Sequence, residues 1–335
     1  MRQIGGWQTD SPKSFRGEGR GPEIRPRQHR RTRGIASRFQ PGRSRSKVFG
    51  FAALLLVTAV GGSRGAGASP PATALPPFPG IAEAVAQFER LNAPGVTDTQ
   101  KRLIVFEGAL AVSRLPCTDE LRADASRGVT MGCMQFGLLG RLQPVLTALD
   151  RAHPDRLAAA FGADVESVRA MLKLPTVAAQ VAWGRSITNP NGGLVGLWTQ
   201  EFAALASMPE FQSAYLESTT VRYRRAVAWA GYYGFRSQRG VAMMFDLALF
   251  RGIPSEKQAA LVDAVNATGV QGDGETAELS RLRAFASARS DMEPNALLRF
   301  HLTTIAEGST PFLGYALDLA DFGITLDPAG TNVLP

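Results

Sequence analysis

From residue 81 onward, apolar positions recur at helical spacing. Ile81, Ala84, Val85 and Phe88 share one face of a helix expected over Ile81–Leu91. Thr97–Gly108 opens on Thr/Asp capping chemistry and stops at a glycine, which predicts a second helix. Leu139–Leu149, Asp164–Leu174 (with Asp164 as N-cap) and Val177–Ser186 continue the period. Pro209–Tyr233 reads as one long amphipathic helix. Ser237–Phe250 is apolar on nearly every side, as a central buried helix would be. Pro254–Ala267, Glu275–Ala288 and Glu293–Ala306 complete the set. The period disappears only between Arg114 and Gly137. There Pro116, Gly128 and Gly132 interrupt short Val-Thr and Met-Gln-Phe runs that suit a small β-hairpin.

Ahead of this body the chain has a different character. Residues 1–47 hold few apolar groups, and the thirteen residues Val48–Val60 carry no charge. A helix of thirteen residues rises only about 20 Å, short of a hydrocarbon core of about 30 Å. Arg43, Arg45 and Lys47 before the run, and Ala66-Gly67-Ala68 after it, have the layout of a secretory signal with an A-x-A cleavage site. Three accounts fit the long basic stretch: an extended signal region, a start assigned too far upstream, or an uncleaved anchor. The expectation is export, to periplasm or exterior, with cleavage near Ala68. The organisation is then 1–47 basic segment, 48–68 signal or anchor, 69–80 Pro/Ala linker and 81–335 helical domain. Membrane contact is expected only through the signal or anchor.

Charge changes the picture once it is placed. The formal net charge of +8 suggests nucleic acid, but residues 1–47 hold 13 of the 37 Lys+Arg and 3 of the 29 Asp+Glu. The remainder is slightly acidic, so a nucleic-acid partner is not expected. Three histidines, His29, His153 and His301, are too few for a His-rich metal cluster, and neither a metal nor a cofactor is expected. There is no Gly-x-Ser-x-Gly elbow and no phosphate-binding glycine pattern in a strand–turn–helix context.

Glu107 stands in Leu103-Ile-Val-Phe-Glu-Gly108, at the end of a predicted helix. Apolar neighbours disfavour the ionised carboxylate, and the helix C-terminal dipole pushes the same way, as a general acid requires. Asp246 lies within an apolar helix where a bare charge is costly, so a partner such as Arg239 or Arg224 is expected.

The motifs that follow carry a resemblance. Glu107-Gly108, then Gly128-Val-Thr-Met-Gly-Cys-Met-Gln-Phe136, then Leu142-Gln-Pro-Val-Leu146 resembles a lysozyme-like glycoside hydrolase family of chitosanase-like and peptidoglycan-hydrolase-like bacterial proteins. Trp183, Trp198, Phe202, Tyr223-x-x-Ala226, Ser237-x-Arg-Gly-Val-Ala-Met-Met-Phe-Asp246 and Leu317-Asp-x-x-x-Phe322 extend the likeness over roughly residues 97–330. The resemblance implies a mainly α, lysozyme-like α+β fold, a helical bundle around a central buried helix with a hairpin flanking a saccharide cleft. It implies Glu107 as catalytic acid and a second carboxylate before the hairpin glycine. Asp124 is the nearest candidate, with Asp119 and Glu120 in reserve. Thr130, Gln135, Phe136 and Asp246 would face substrate, a β-1,4-linked amino-sugar polymer such as peptidoglycan or chitosan.

The polar contacts survive less well than the scaffold. Gly137 replaces an expected Asn, Phe250-Arg251 replaces two amides, and Leu313-Gly314 replaces a His-Gly pair. A catalytically silent wall-binding or structural protein with the same fold is therefore the alternative to a hydrolase.

In an exported chain, Cys117 and Cys133 can pair across a loop of about 15 residues, worth about 3 kcal/mol in the chain-entropy model. Thiol titration of oxidatively purified, denatured protein should find no free thiol. Two reactive thiols remove the pairing.

Overall fold

The computed structural model describes residues 75–327, apart from 113–120, 125–127, 133, 135, 138–140, 192 and 273; the side chains of 112 and 122–124 also lie outside it. Among the described residues the architecture is mainly helical, with a small antiparallel sheet early and a hairpin late. None of the described helices is long and apolar enough to cross a membrane. The signal segment, Cys117, Cys133, Gln135, Asp119 and Glu120 lie outside the described residues.

Helix α1 (Ile81–Glu89) buries Ile81, Ala84 and Phe88, the face its spacing predicts. It packs against α2 (Asp98–Val112), where Thr97 Oγ1 accepts from the Gln100 amide N–H at 3.1 Å. Helix α2 does not stop at Gly108. All eight residues from Leu103 to Leu110 are buried. A mid-helix glycine costs about 1 kcal/mol, whereas burying a leucine returns about 1.5–3 kcal/mol, so packing carries the helix through. Glu107 is consequently a mid-helix residue.

The sheet orders β1 (Leu121–Asp124), β2 (Gly128–Met131) and β3 (Phe136–Gly137) antiparallel, with Asp124 in register with Gly128 and Thr130 with Gly137. It is anchored from two sides. A Cβ on Gly184 of α6 (Val177–Ser186) would stand 2.7 Å from the Gly128 Cα, so helix and strand touch backbone to backbone. Gly132 has φ +78° and meets the Tyr215 ring, whose hydroxyl accepts from the Met134 N–H at 3.0 Å.

The helices beyond the sheet include α3 (Gln143–Ala152), α4 (Pro154–Phe161), α5 (Val165–Leu172) and α7 (Trp198–Ser207). Phe161, Trp183, Trp198 and Phe202 form one aromatic cluster tying α4, α6 and α7 together. The motif aromatics are thus core contacts. Asp164 ends a 3-10 turn and makes no capping bond, contrary to its expected role.

The long helix expected over 209–233 is two, α8 (Pro209–Glu217) and α9 (Thr220–Tyr232). The buried Gln100 side chain explains the break. Its amide donates to Thr219 Oγ1 at 2.6 Å and to the Leu216 carbonyl at 3.2 Å, and the Thr219 hydroxyl donates to that same carbonyl.

Helix α10 (Gln238–Phe250) buries nine of its thirteen residues and packs on α9, α13 (Ala296–Glu307) and α2. Its N-terminus is fixed by a buried carboxylate. Glu278 Oε1, on α12 (Glu275–Met292), accepts from the Arg236 N–H, the Ser237 N–H and the Ser237 hydroxyl, while Arg281 holds Oε2. Ser237 in turn caps Gly240 N–H at 3.0 Å. Helix α11 (Gln258–Asn266) packs on α12, and β4 (Ser309–Phe312) and β5 (Tyr315–Asp318) form the late hairpin, followed by a 3-10 turn over Leu319–Phe322. Their turn, Leu313-Gly314, has positive φ at both positions, as a two-residue hairpin loop demands.

Replacing Glu278 by alanine strands three donors and Arg281, and should cost about 3–5 kcal/mol. Glu278→Gln keeps an acceptor and should cost about 1–2 kcal/mol. Urea denaturation measures both, and equal costs for the two variants refute this account of the cap.

Candidate active site

Three helices meet at one buried polar cluster. Glu107 comes from α2, Asp246 from α10 and His301 from α13, at 0, 1 and 6% exposure. One donor atom from each lies within 4.8 Å of the others. His301 Nδ1 and Asp246 Oδ1 are 2.7 Å apart. Asp246 therefore pairs with His301, and not with Arg239 or Arg224 as its sequence context suggested. Arg239 instead reaches the Ala306 carbonyl at 3.5 Å.

Glu107 sits in an apolar helix with Phe106 and Leu110 buried beside it along the chain. Burial holds its carboxyl well above the ordinary glutamate range, and the charge of Asp246 pushes it further up. Neither carboxyl oxygen has a hydrogen-bonding partner by geometry among the described residues. Desolvation contributes most to the shift, the charge of Asp246 next and a hydrogen bond with Asp246 least. The helix dipole expected to contribute does not act at its end, because the helix continues to Val112.

Beside the pair lies a cavity of about 320 Å³, walled by Leu110, Leu297, Leu298 and Phe250 and reached by Asp246 and His301. Arg251 stands on it, paired with Glu293 at 2.9 Å.

The other expected site residues are placed differently. Asp124 ends β1 in register with Gly128. Thr130 is buried in the middle of the sheet. Phe136 is fully buried against Tyr215, ring centroids 4.6 Å apart, so its ring is a core contact and not an exposed sugar platform. The sequence marks His301 only as one of three histidines, with no partner assigned to it. The overlooked signal was complementary need: a polar side chain inside an apolar helix at Asp246, and another between Phe300 and Leu302.

A carboxyl group whose acidity is weakened on folding favours the folded state at low pH. That contribution is complete below the ordinary value of 4.5 and is lost as pH rises through the raised folded value. Each tenfold change in the acidity constant corresponds to about 1.4 kcal/mol. Glu107→Gln should therefore gain stability relative to wild type as pH climbs above 4.5, then level off. Denaturation across that range measures it, and parallel curves for both proteins contradict the assignment.

No family model matches the chain, and no curated protein matches it. Solved structures similar to the chain include two chitosanases. One is a glycoside hydrolase family 46 chitosanase of Gynuella sunshinyii in complex with chitotetraose, at 18% identity and TM-score 0.42, covering 64% of this chain and 87% of that one. The other is a chitosanase complex, at 18% identity and TM-score 0.44, covering 68% of this chain and 98% of that one.

Proposed function

We propose that this chain is an exported glycoside hydrolase acting on a β-1,4-linked amino-sugar polymer, with Glu107 as general acid. The observation that carries the reading is the fully buried carboxyl of Glu107 beside a second carboxylate, its acidity weakened by burial and by the charge of Asp246. Protonating a glycosidic oxygen near neutral pH needs an acid that has kept its proton, and burial supplies that. Asp124, at the β1 end of the hairpin, is the proposed base that activates water. The ordered motifs from Glu107 to Phe322 support the same reading. Peptidoglycan is the favoured polymer for an exported envelope enzyme, with chitosan the other member of the class.

One observation favours a second reading. Glu107 is 0% exposed, so a substrate oxygen reaches it only if the surrounding wall opens. A wall-binding protein that keeps the fold and has lost turnover would leave this acid sealed.

A reducing-end assay with peptidoglycan and chitosan separates the two. The wild-type chain should release reducing ends, and Glu107→Gln should lower the rate by about 10²–10⁴-fold while polymer binding survives. Wild-type rates in that variant remove Glu107 from the mechanism. Binding without turnover in a folded wild-type sample establishes the second reading.

A further inference from the structure

The cluster of Glu107, Asp246 and His301 has a composition that neither reading requires: two carboxyls and one imidazole from three separate helices, all at least nine-tenths buried. A buried carboxylate costs several kcal/mol unless its charge is compensated, and a divalent ion is the alternative to a proton as the compensating charge for this cluster. Arg251, on the adjoining cavity, is already engaged with Glu293. His301 Nε2 has no hydrogen-bonding partner among the described residues, and the Glu107 carboxyl is held beside Asp246 only while a proton lies between them. Buried polar atoms without partners are rare, and a bound ion is one of their physical explanations.

We propose that Glu107, Asp246 and His301 form a site for one divalent transition-metal ion, zinc foremost. Two carboxylates and a neutral imidazole bring a divalent ion to zero net charge, so the loaded cluster is no longer a buried charge. The donor set selects the metal. An imidazole nitrogen disfavours magnesium and calcium, which take oxygen ligands, and a cluster without sulfur disfavours copper(I).

The distances are compatible. Ligands about 2.1 Å from zinc stand roughly 3.0–3.4 Å apart. One donor atom from each of the three residues lies within 4.8 Å of the others, and an ion there would take the place of the proton that joins His301 Nδ1 to Asp246 Oδ1 at 2.7 Å. Three protein ligands leave a fourth position, and the cavity of about 320 Å³ beside Asp246 and His301 has room for water there. This inference does not rest on the glycosidase reading. In an active glycosidase the ion would compete with the proton on Glu107 and inhibit.

The test is a zinc titration of the metal-stripped full chain against a chromophoric chelator, with circular dichroism confirming the fold. One equivalent should bind with a dissociation constant of about 1 μM or below. Glu107→Gln and His301→Asn should each weaken it by roughly 100-fold or more. Calcium should not compete. X-ray absorption of the zinc-loaded wild type guards against variants that fail to fold, and should show nitrogen and oxygen ligands with one imidazole. No bound equivalent, unchanged affinity in the folded variants, or sulfur in the shell overturns the site. Because no substrate is needed, zinc binding without hydrolysis would support this site and count against the glycosidase.

Discussion

Two carboxyls and an imidazole cannot share a buried core unless their charges are compensated, and that constraint organises this molecule. Glu107, Asp246 and His301 sit at 0, 1 and 6% exposure on three helices that come from distant parts of the chain. Asp246 is held by His301 at 2.7 Å, and burial together with the charge of Asp246 weakens the acidity of Glu107. The cluster therefore links α2, α10 and α13 through chemistry that depends on their exact spacing. A shift of any one helix would leave a charge buried without compensation.

The rest of the fold serves that spacing. Glu278 fixes where α10 begins by accepting three hydrogen bonds around Ser237, and Asp246 follows nine residues later on the same helix. Gln100, two turns before Glu107 on α2, sets the break between α8 and α9 by binding Leu216 and Thr219. Contacts that look like local capping thus set the register of the helices that carry the acid and its neighbours. The early sheet is placed independently, through Gly184 against Gly128 and Tyr215 against Gly132.

Much of this was legible in the sequence, for identifiable reasons. Val177–Ser186 was read with its observed bounds, and the helix expected over Ser237–Phe250 runs Gln238–Phe250 with Ser237 as its cap. Periodicity also pointed to the buried character of Ser237–Phe250. What periodicity could not show was long-range. The split at Ser218-Thr219 is imposed by a glutamine more than a hundred residues earlier. Helix α2 outlasts Gly108 because burial outweighs a glycine's propensity. Helices α4 and α7 went unread, their aromatic contacts coming from three elements at once. At the site, Glu107 was singled out from its apolar neighbours. His301 was not, because an imidazole's partner is a property of packing and not of spacing.

The central claim is that Glu107 is a buried acid that keeps its proton at neutral pH. Carbon-13 NMR of protein labelled at the glutamate side-chain carboxyls, assigned with Glu107→Gln, reads this directly. The account predicts one carboxyl resonance, absent from the variant, that stays at the protonated position at pH 7 while exposed glutamates have titrated. A Glu107 resonance that titrates with the exposed glutamates, near 4.5, would contradict it.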